Sequence, residues 1–241
     1  MYEERTYRNI IKDAKLISYS VIVKETDLYV RTDSDLSKDV ENSIVKYRYQ
    51  LENYIKDHEE FLKSLRPVEV DTLAPKIVKN MADAALRADV GPMAAVAGAM
   101  SEYVGRDLDS KSSNIIIENG GDIFMKTDIE RRVSIYAGNS VLSHKVGILI
   151  KPDMSPLGIC TSSGTVGHSL SFGKADAVCV LSRSTLIADA AATSTGNVVK
   201  SATDIEKGLN YAMDIEGVSG VLIIVGDKLG AFGDIELVKV A

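Results

Sequence analysis

The sequence of 241 residues has few of the residue types that define several protein classes, with two cysteines, three histidines and no tryptophan. Two cysteines are too few for a disulfide framework, and together with the histidines they match no zinc-site spacing. Cys160 and Cys179 lie in the runs GICTSS and DAVCVLS, which predict strands, so we expect both to be buried packing residues. No apolar run reaches the roughly 18 residues of a membrane-spanning helix, so no membrane partner is expected.

An excess of positive charge is also absent, because 28 Lys and Arg stand against 34 Asp and Glu, a net charge of -6. Without a basic stripe to neutralise phosphates, nucleic acid is not an expected partner. The first residues, MYEERTYRNIIKDAK, alternate charges and lack the apolar segment of a secretory leader, so we expect a reducing, cytoplasmic location. With 45% apolar and 26% charged residues, the composition predicts one folded domain over residues 1–241.

Apolar periodicity predicts a first hairpin over residues 16–33 and a long helix from Leu36 to Pro67. His58 falls on the apolar stripe of this helix, where a partly buried packing role is expected. A second helical region, residues 73–104, breaks before Pro92, which suits the first turn of a new helix. The second half predicts the strands RRVSIYAG, KVGILIKP, GICTSS, DAVCVLS, GVLIIVG and DIELVKV, and the helices LIADAAATSTGNVV and 204–213.

This order of elements predicts an α+β fold, an antiparallel sheet with helices on one face. Each half reads coarsely as two strands, two helices and two strands, so we expect two similar ββααββ halves at about residues 10–127 and 128–241. No period of identical residues indicates a sequence repeat. Small-residue helix faces and sheet edges favour a homo-oligomer without specifying its copy number.

Residues 113–127, SNIIIENGGDIFMKT, contain Asn119-Gly120-Gly121-Asp122 between two apolar runs. Asn-Gly in such a context predicts a two-residue hairpin turn. Two adjacent glycines also remove side chains where a flat or phosphorylated ligand must approach the backbone, and Asn119 and Asp122 add polar groups beside them. Taken alone, the tetrapeptide favours the plain turn, since such turns need no ligand, and a ligand surface is expected only together with the motifs described below.

Around Pro92, two pairs of small residues are each separated by four positions. They are Ala94 with Gly98 and Gly91 with Ala95. The face that carries them can approach another backbone or a ligand closely. Two interpretations stay open, tight packing of the helix or an anion held by the N–H groups of its first turn.

Two further segments carry groups with the chemistry of a nucleotide site. In ADAAATSTG, Asp189 and Thr193 are four residues apart, so a helix places carboxylate and hydroxyl on one face, as ligands for Mg²⁺ or as a plain helix start. In GICTSSGTVGH, the hydroxyl-rich loop 161–164 suits phosphate or ribose oxygens, or is a polar turn. His168 follows it and could transfer a proton or bind a phosphate.

In this order, the Asn-Gly-Gly-Asp, Thr-Ser-Ser-Gly, histidine and Ala-Asp-x-x-x-Thr motifs resemble those of the FAD:protein FMN transferase superfamily, the ApbE-like proteins, over roughly residues 113–197. The stretch 90–98, VGPMAAVAG, is similar to the shorter branch of that superfamily. The resemblance implies an ApbE-like, T-fold-related architecture, with FAD and Mg²⁺ as ligands.

The resemblance also implies a role for each matched position. Asp189 and Thr193 would bind Mg²⁺, and His168 and Asp189 would be the catalytic residues. The residues that would contact the flavin nucleotide are Asn119, Gly120, Gly121, Asp122, Thr161, Ser162, Ser163 and Gly164.

The sequence departs from the transferases after His168, where it reads SLSFGKAD in place of an Asp-Pro-x-Thr-Gly loop. Three functions therefore stay open. The first is a Mg²⁺-dependent enzyme that transfers FMN from FAD to an acceptor protein or hydrolyses FAD to FMN and AMP. The second is a flavin- or nucleotide-binding protein without catalysis. The third, implied by the resemblance, is an accessory protein in sulfur assimilation or homocysteine formation.

Overall fold

The structure is a computed structural model, and it describes residues 16–164 and 173–240. In chain order the strands are β1 (Ile17–Val23), β2 (Thr26–Thr32), β3 (Ile115–Asn119), β4 (Asp122–Lys126), β5 (Arg131–Ser134), β6 (Val146–Ile150), β7 (Leu157–Ser162), β8 (Ala177–Ser182), β9 (Val218–Val225), β10 (Lys228–Gly233) and β11 (Glu236–Lys239). The helices are α1 (Ser37–Asp57), α2 (Glu59–Lys63), α3 (Lys76–Ala88), α4 (Val96–Asp107), α5 (Thr185–Val198) and α6 (Ile205–Met213).

Eight strands form one antiparallel sheet in the order β1-β2-β3-β4-β7-β8-β9-β10. The predicted α+β class with an antiparallel sheet is confirmed. Within the described residues, β1 and β10 are the edges of this sheet. Self-association through such edges stays a prediction. None of the helices in the described ranges has the length and apolar character to cross a bilayer.

The two faces of the large sheet pack against different partners, because strand residues alternate between faces. One face contacts the helices and includes Phe124, Cys160, Val178, Val180, Val221 and Ile223. The other face contacts a small antiparallel sheet of order β11-β6-β5 and includes Met125, Ile159, Cys179, Leu181, Leu222 and Ile224. Both cysteines are free and buried, as predicted, but they lie on opposite faces.

Four strands differ from the sequence prediction, three in the sheet to which they belong and one because it was not predicted at all. The runs that form β5 and β6, and the C-terminal run that forms β11, belong to the small sheet and not to the large one. The strand β10 was not predicted, because its sequence KLGAFG contains two glycines and no β-branched residue. Its burial is low, so apolar alternation is weak.

The strand order keeps β1–β4 together and β7–β10 together, and the two groups meet at the β4–β7 pair. The helices α1–α4 connect β2 to β3, and α5 and α6 connect β8 to β9. The proposal of two related ββααββ halves rests on this order, with β5 and β6 as an insertion between them.

The hairpin of β3 and β4 turns at Gly120 and Gly121, one residue later than the predicted Asn-Gly turn. Asn119 pairs with Asp122, and both glycines have positive φ, 68° and 108°. Such φ values are readily adopted only by glycine, which explains why the turn shifts to the Gly-Gly pair.

The predicted long first helix is confirmed as α1, whose buried stripe includes Val40, Ile44 and Leu51. It ends earlier than predicted, since His58 separates α1 from the short α2. The imidazole stacks on Tyr54 with the ring centroids 3.9 Å apart, and its Nδ1 lies 2.9 Å from the Tyr54 carbonyl oxygen. The expected packing role of His58 is therefore seen, at a helix break. The predicted break before Pro92 is also present, because a 3₁₀ turn at Pro92–Ala95 precedes α4.

The helix α5 lies directly on β7. A Cβ at Gly158 would be 2.4 Å from the Cα of Thr185, and the Cys160 thiol donates to the Thr185 carbonyl oxygen at 3.4 Å. Only a glycine at position 158 lets the start of α5 reach the strand, because neither backbone can yield without moving a core element.

We expect Gly158→Ala to lower the free energy of unfolding by more than about 2 kcal/mol, since the added methyl has no space against α5. Gly226→Ala is the matched control. Its Cβ would meet nothing within 4 Å, and only its positive φ of 61° is unfavourable, at a cost of about 1 kcal/mol. Urea unfolding at 25 °C measures both variants. Equal losses would show that the close approach at Gly158 is not a packing constraint.

Candidate functional site

Asp189, one turn into α5, has a buried carboxylate with only 8% of the residue exposed. Its Oδ2 accepts a hydrogen bond from the N–H of Gly98 at 2.8 Å, and the N–H of Ala97 also binds the carboxylate. Ala97 and Gly98 belong to the first turn of α4, whose N–H groups have no partner inside the helix. The anion held at this helix start is therefore a side chain of the protein itself.

The first turns of α4 and α5 are in direct contact. A Cβ at Gly98 would lie 2.4 Å from the carbonyl oxygen of Thr185, so glycine is needed for this approach. Each helix start receives a carboxylate from the other helix, since Glu102 of α4 accepts the N–H of Thr185 at 2.6 Å. We call these two hydrogen bonds, Gly98 to Asp189 and Thr185 to Glu102, the reciprocal caps.

The hairpin of β3 and β4 ends beside the reciprocal caps. Asn119 donates through Nδ2 to the carbonyl oxygen of Ala97 at 3.2 Å, which ties the hairpin to the start of α4. Asp122, the residue paired with Asn119, is buried and close enough to raise the pKa of Asp189. The N–H of Gly121 donates to Glu118 at 2.9 Å, which braces the turn. The structure thus brings together two sequence-predicted pieces, the Asn-Gly-Gly-Asp turn and Asp189.

The electrostatics of this cluster are unfavourable for negative charge. Burial, and then the charge of Asp122, raise the pKa of Asp189 well above its usual range, although the N–H groups of Gly98 and Ala97 oppose the shift. The thiol of Cys160 is close to both carboxyl groups, and burial followed by the charges of Asp122 and Asp189 raises its pKa as well. A cation near the two carboxyl groups would relieve this repulsion.

The remaining predicted residues occupy three positions. Thr161 pairs with Cys179, and its side chain points to the small-sheet face, away from Asp189. Ser162 and Ser163 follow at the end of β7. Thr193 lies one turn beyond Asp189 on α5 and is half-buried. His168 lies outside the described residues.

The loop base after β7 packs on the end of α5 through glycines. A Cβ at Gly164 would be 2.4 Å from the carbonyl oxygen of Gly173, and one at Gly173 would contact the carbonyl oxygen of Gly196. Gly158 lies against Thr185 at the start of α5, and Gly164 packs on Gly173, which lies against Gly196 near the end of α5, so β7 and α5 run side by side in the same direction. Ser162 and Ser163 are therefore level with the stretch of α5 around Thr193, whereas Asp189 is level with Cys160.

A metal at this cluster would have oxygen ligands only. No group of three or more His, Cys, Asp or Glu side chains that could hold an ion occurs among the described residues. Two carboxyl groups and a hydroxyl are a donor set that suits Mg²⁺, which keeps several waters and binds through one or two carboxylates. The residues present, Asp189, Asp122 and Thr193, fit such an ion.

Glu102 and the backbone of Gly98 were missed in the sequence. Glu102 stands in the otherwise apolar run around Met100 and Val104, and it is only 7% exposed. A charged residue in such a run indicates a buried partner, which was the available signal. The small side chains around Gly98 were recognised, and they serve close helix packing and an anion contact together.

Comparison with solved structures places this fold among the ApbE-like proteins. The apo flavinyl transferase ApbE of Pseudomonas stutzeri superimposes with a TM-score of 0.58 at 14% identity, covering 91% of this chain and 94% of that one. The flavin transferase ApbE of Vibrio cholerae gives a TM-score of 0.55 at 16% identity, covering 90% and 96%. At such identities the likeness shows the fold alone.

Sequence comparison gives the family. A family model described as AbpE bacteria matches residues 8–228, and the chain therefore belongs to this family. A UPF0280 protein of Methanococcus maripaludis strain C5 is 45% identical over 232 residues, which covers 93% of this chain and 94% of the relative. The resemblance drawn from the motifs is confirmed.

We expect Asp189→Asn to stabilise the metal-free protein at pH 7 by about 1 kcal/mol, or roughly 2–4 °C in Tm. The raised pKa of Asp189 means that its contribution to stability is fully present below about pH 4 and is lost as the pH rises. Asparagine keeps the acceptor for Gly98 without the charge. The gain should therefore shrink toward pH 4.

Thermal unfolding in chelator from pH 4 to pH 7 tests this expectation, with Asp153→Asn, an exposed carboxylate, as the control for lost charge. A Tm of Asp189→Asn at or below that of the parent protein at pH 7 would contradict it.

Proposed function

We propose that this protein binds a flavin nucleotide, FAD, together with Mg²⁺ at the cluster of Asp122 and Asp189. The observation that carries the proposal is the buried Asp189 carboxylate on the first turn of α4, beside a second buried carboxyl group. Two such groups close together destabilise the protein, which is common where a site is built for a ligand. The structural neighbours from Pseudomonas stutzeri and Vibrio cholerae are flavin transferases, which supports flavin as the ligand.

Asp189 and Thr193 would be the Mg²⁺ ligands, one turn apart on one face of α5. Asp122 would supply a second negative charge. When bound, Mg²⁺ supplies charge neutralisation for the pyrophosphate of FAD. The protein's own part is to hold both carboxylates in place before the ion arrives, through the N–H groups of α4 and the Asn119 contact to Ala97.

The nucleotide would contact the turn of the β3–β4 hairpin and the end of β7. Gly120 and Gly121 leave the turn without side chains, so a ring or phosphate can reach the backbone. Ser162, Ser163 and Gly164 lie level with the stretch of α5 from Thr193 to Gly196, and they would donate to phosphate or ribose oxygens. Thr161 would take part through its backbone, because its side chain faces the small sheet.

The proposed reaction is transfer of FMN to an acceptor protein or hydrolysis of FAD, with AMP leaving in both cases. Asp189 would act by positioning the ion, and His168 would transfer a proton. The missing Asp-Pro-x-Thr-Gly loop favours a second candidate, flavin-nucleotide binding without turnover. An accessory role in sulfur assimilation is the further alternative if no flavin binds.

We expect ligand-stripped protein to bind FAD in calorimetric titration, with an affinity that rises when Mg²⁺ is added. Asp189→Ala should remove the Mg²⁺-dependent part, a loss of about tenfold or more, because the ion loses its anionic ligand. Mass spectrometry of the small molecules then decides between the candidates. Release of AMP and FMN indicates FAD hydrolysis, AMP with FMN attached to a protein indicates transfer to an acceptor, and bound FAD without product indicates binding without hydrolysis.

Asp153→Ala is the control, since this exposed carboxylate lies on the 3₁₀ turn Pro152–Met154 and not at the site. Absence of FAD binding by the parent protein would reject the proposal and direct the search to protein partners. Unchanged Mg²⁺ dependence in Asp189→Ala would reject the metal assignment.

A further inference from the structure

Glu102 makes contacts on two sides that no sequence motif assigned. Its Oε2 accepts the N–H of Thr185 at 2.6 Å and lies 3.4 Å from the Ser184 hydroxyl. Its Oε1 accepts from Arg106, one turn later on α4, at 2.9 Å. The Glu102 carboxylate thus binds Arg106 on its own helix and the first turn of α5.

The hydrogen bond between Glu102 and the Thr185 N–H affects the position of Asp189, because Thr185 and Asp189 are separated by one turn of α5. Asp189 follows Thr185 by four residues, so the two lie one above the other on α5. Its carboxylate returns to α4 at Gly98, which precedes Glu102 by four residues. The four residues therefore form a closed ring of two helical turns and two hydrogen bonds, in which neither carboxylate can shift without stretching the other bond.

Helix starts that lie side by side repel each other, because each carries about half a positive charge. In the reciprocal caps, a carboxyl oxygen of each helix accepts a hydrogen bond from an N–H group in the first turn of the other helix. Without Glu102, the start of α5 would lose its anionic partner and could move away from α4, and Asp189 would move with it. The Thr185 side chain offers no substitute, since its buried hydroxyl has no hydrogen-bond partner.

We propose that Glu102 is a positioning residue for the carboxylate of Asp189. It holds the first turn of α5 against α4, and so keeps the Asp189 carboxylate on the N–H of Gly98. The link to cation binding rests on the proposed function, but the positioning itself is measurable without any ligand.

A purely structural contact elsewhere on α4 offers the comparison. Asp107, at the end of the same helix, accepts hydrogen bonds from Ser43 at 2.9 Å and Tyr47 at 2.8 Å. It therefore ties α4 to α1, on the side away from α5. Its loss should destabilise the protein without moving Asp189.

The test is amide hydrogen exchange by NMR on the metal-free protein, read at Gly98 and compared with the other amides of α4. In Glu102→Ala we expect exchange at Gly98 to rise about tenfold more than the rise at the other α4 amides, the effect of losing roughly one capping hydrogen bond. Glu102→Gln keeps an acceptor for Thr185, so it should restore most of the protection. Asp107→Ala should show no selective change at Gly98.

Exchange at Gly98 that rises only in step with the rest of α4 in Glu102→Ala, as in Asp107→Ala, would overturn the proposal. Failure of Glu102→Gln to restore protection would also overturn it, since the acceptor would then be irrelevant. Mg²⁺ titration of the same variants is read separately. If the parent protein binds no Mg²⁺, the proposed function fails while the exchange data still decide the role of Glu102. If it binds, Glu102→Ala should weaken binding about tenfold and Asp107→Ala should not.

Discussion

Two helix starts that lie side by side bring like partial charges and unpaired N–H groups together, and in this protein each helix supplies a hydrogen-bond acceptor to the other. Asp189 of α5 binds the first turn of α4, and Glu102 of α4 binds the first turn of α5. Gly98 permits the approach, because any side chain there would meet the Thr185 backbone. The helix α4 packs on β3 and β4, and α5 packs on β7 and β8. The reciprocal caps therefore hold together the two groups of strands that meet at β4 and β7.

The same contact sets the chemistry of the candidate site. The Asp189 carboxylate stays buried because it caps the start of α4. A second buried carboxyl group, Asp122, lies nearby. The arrangement is unfavourable in isolation and becomes favourable when positive charge is added. The large apolar core on both faces of the sheet supplies the stability that tolerates such a cluster.

The fold was predictable where local patterns and packing agree. The apolar stripe of α1, the small-residue start of α4 and the β-branched runs of β3 and β4 all appear as expected. The strand β10 was not predictable, because its glycines fit under α6 and carry no apolar signal; a Cβ at Gly230 would lie 2.6 Å from Ile205. Assignment of β5, β6 and β11 to a separate sheet was also hidden, since pairing partners are a property of the tertiary fold. In the site, Asp122 and Asp189 were predicted individually, but the contact of Asp189 with the α4 backbone involves N–H groups that no residue type reveals.

The large sheet separates two apolar layers of the core, and each layer contains one cysteine whose reactivity can be measured separately. Cys160 is covered by the helices and Cys179 by the small sheet, and both are fully buried. A thiol reagent can reach the first only when α5 lifts from β7, and the second only when the small sheet detaches. The two modification rates thus report separately how often each layer opens, and the native chain already carries both probes.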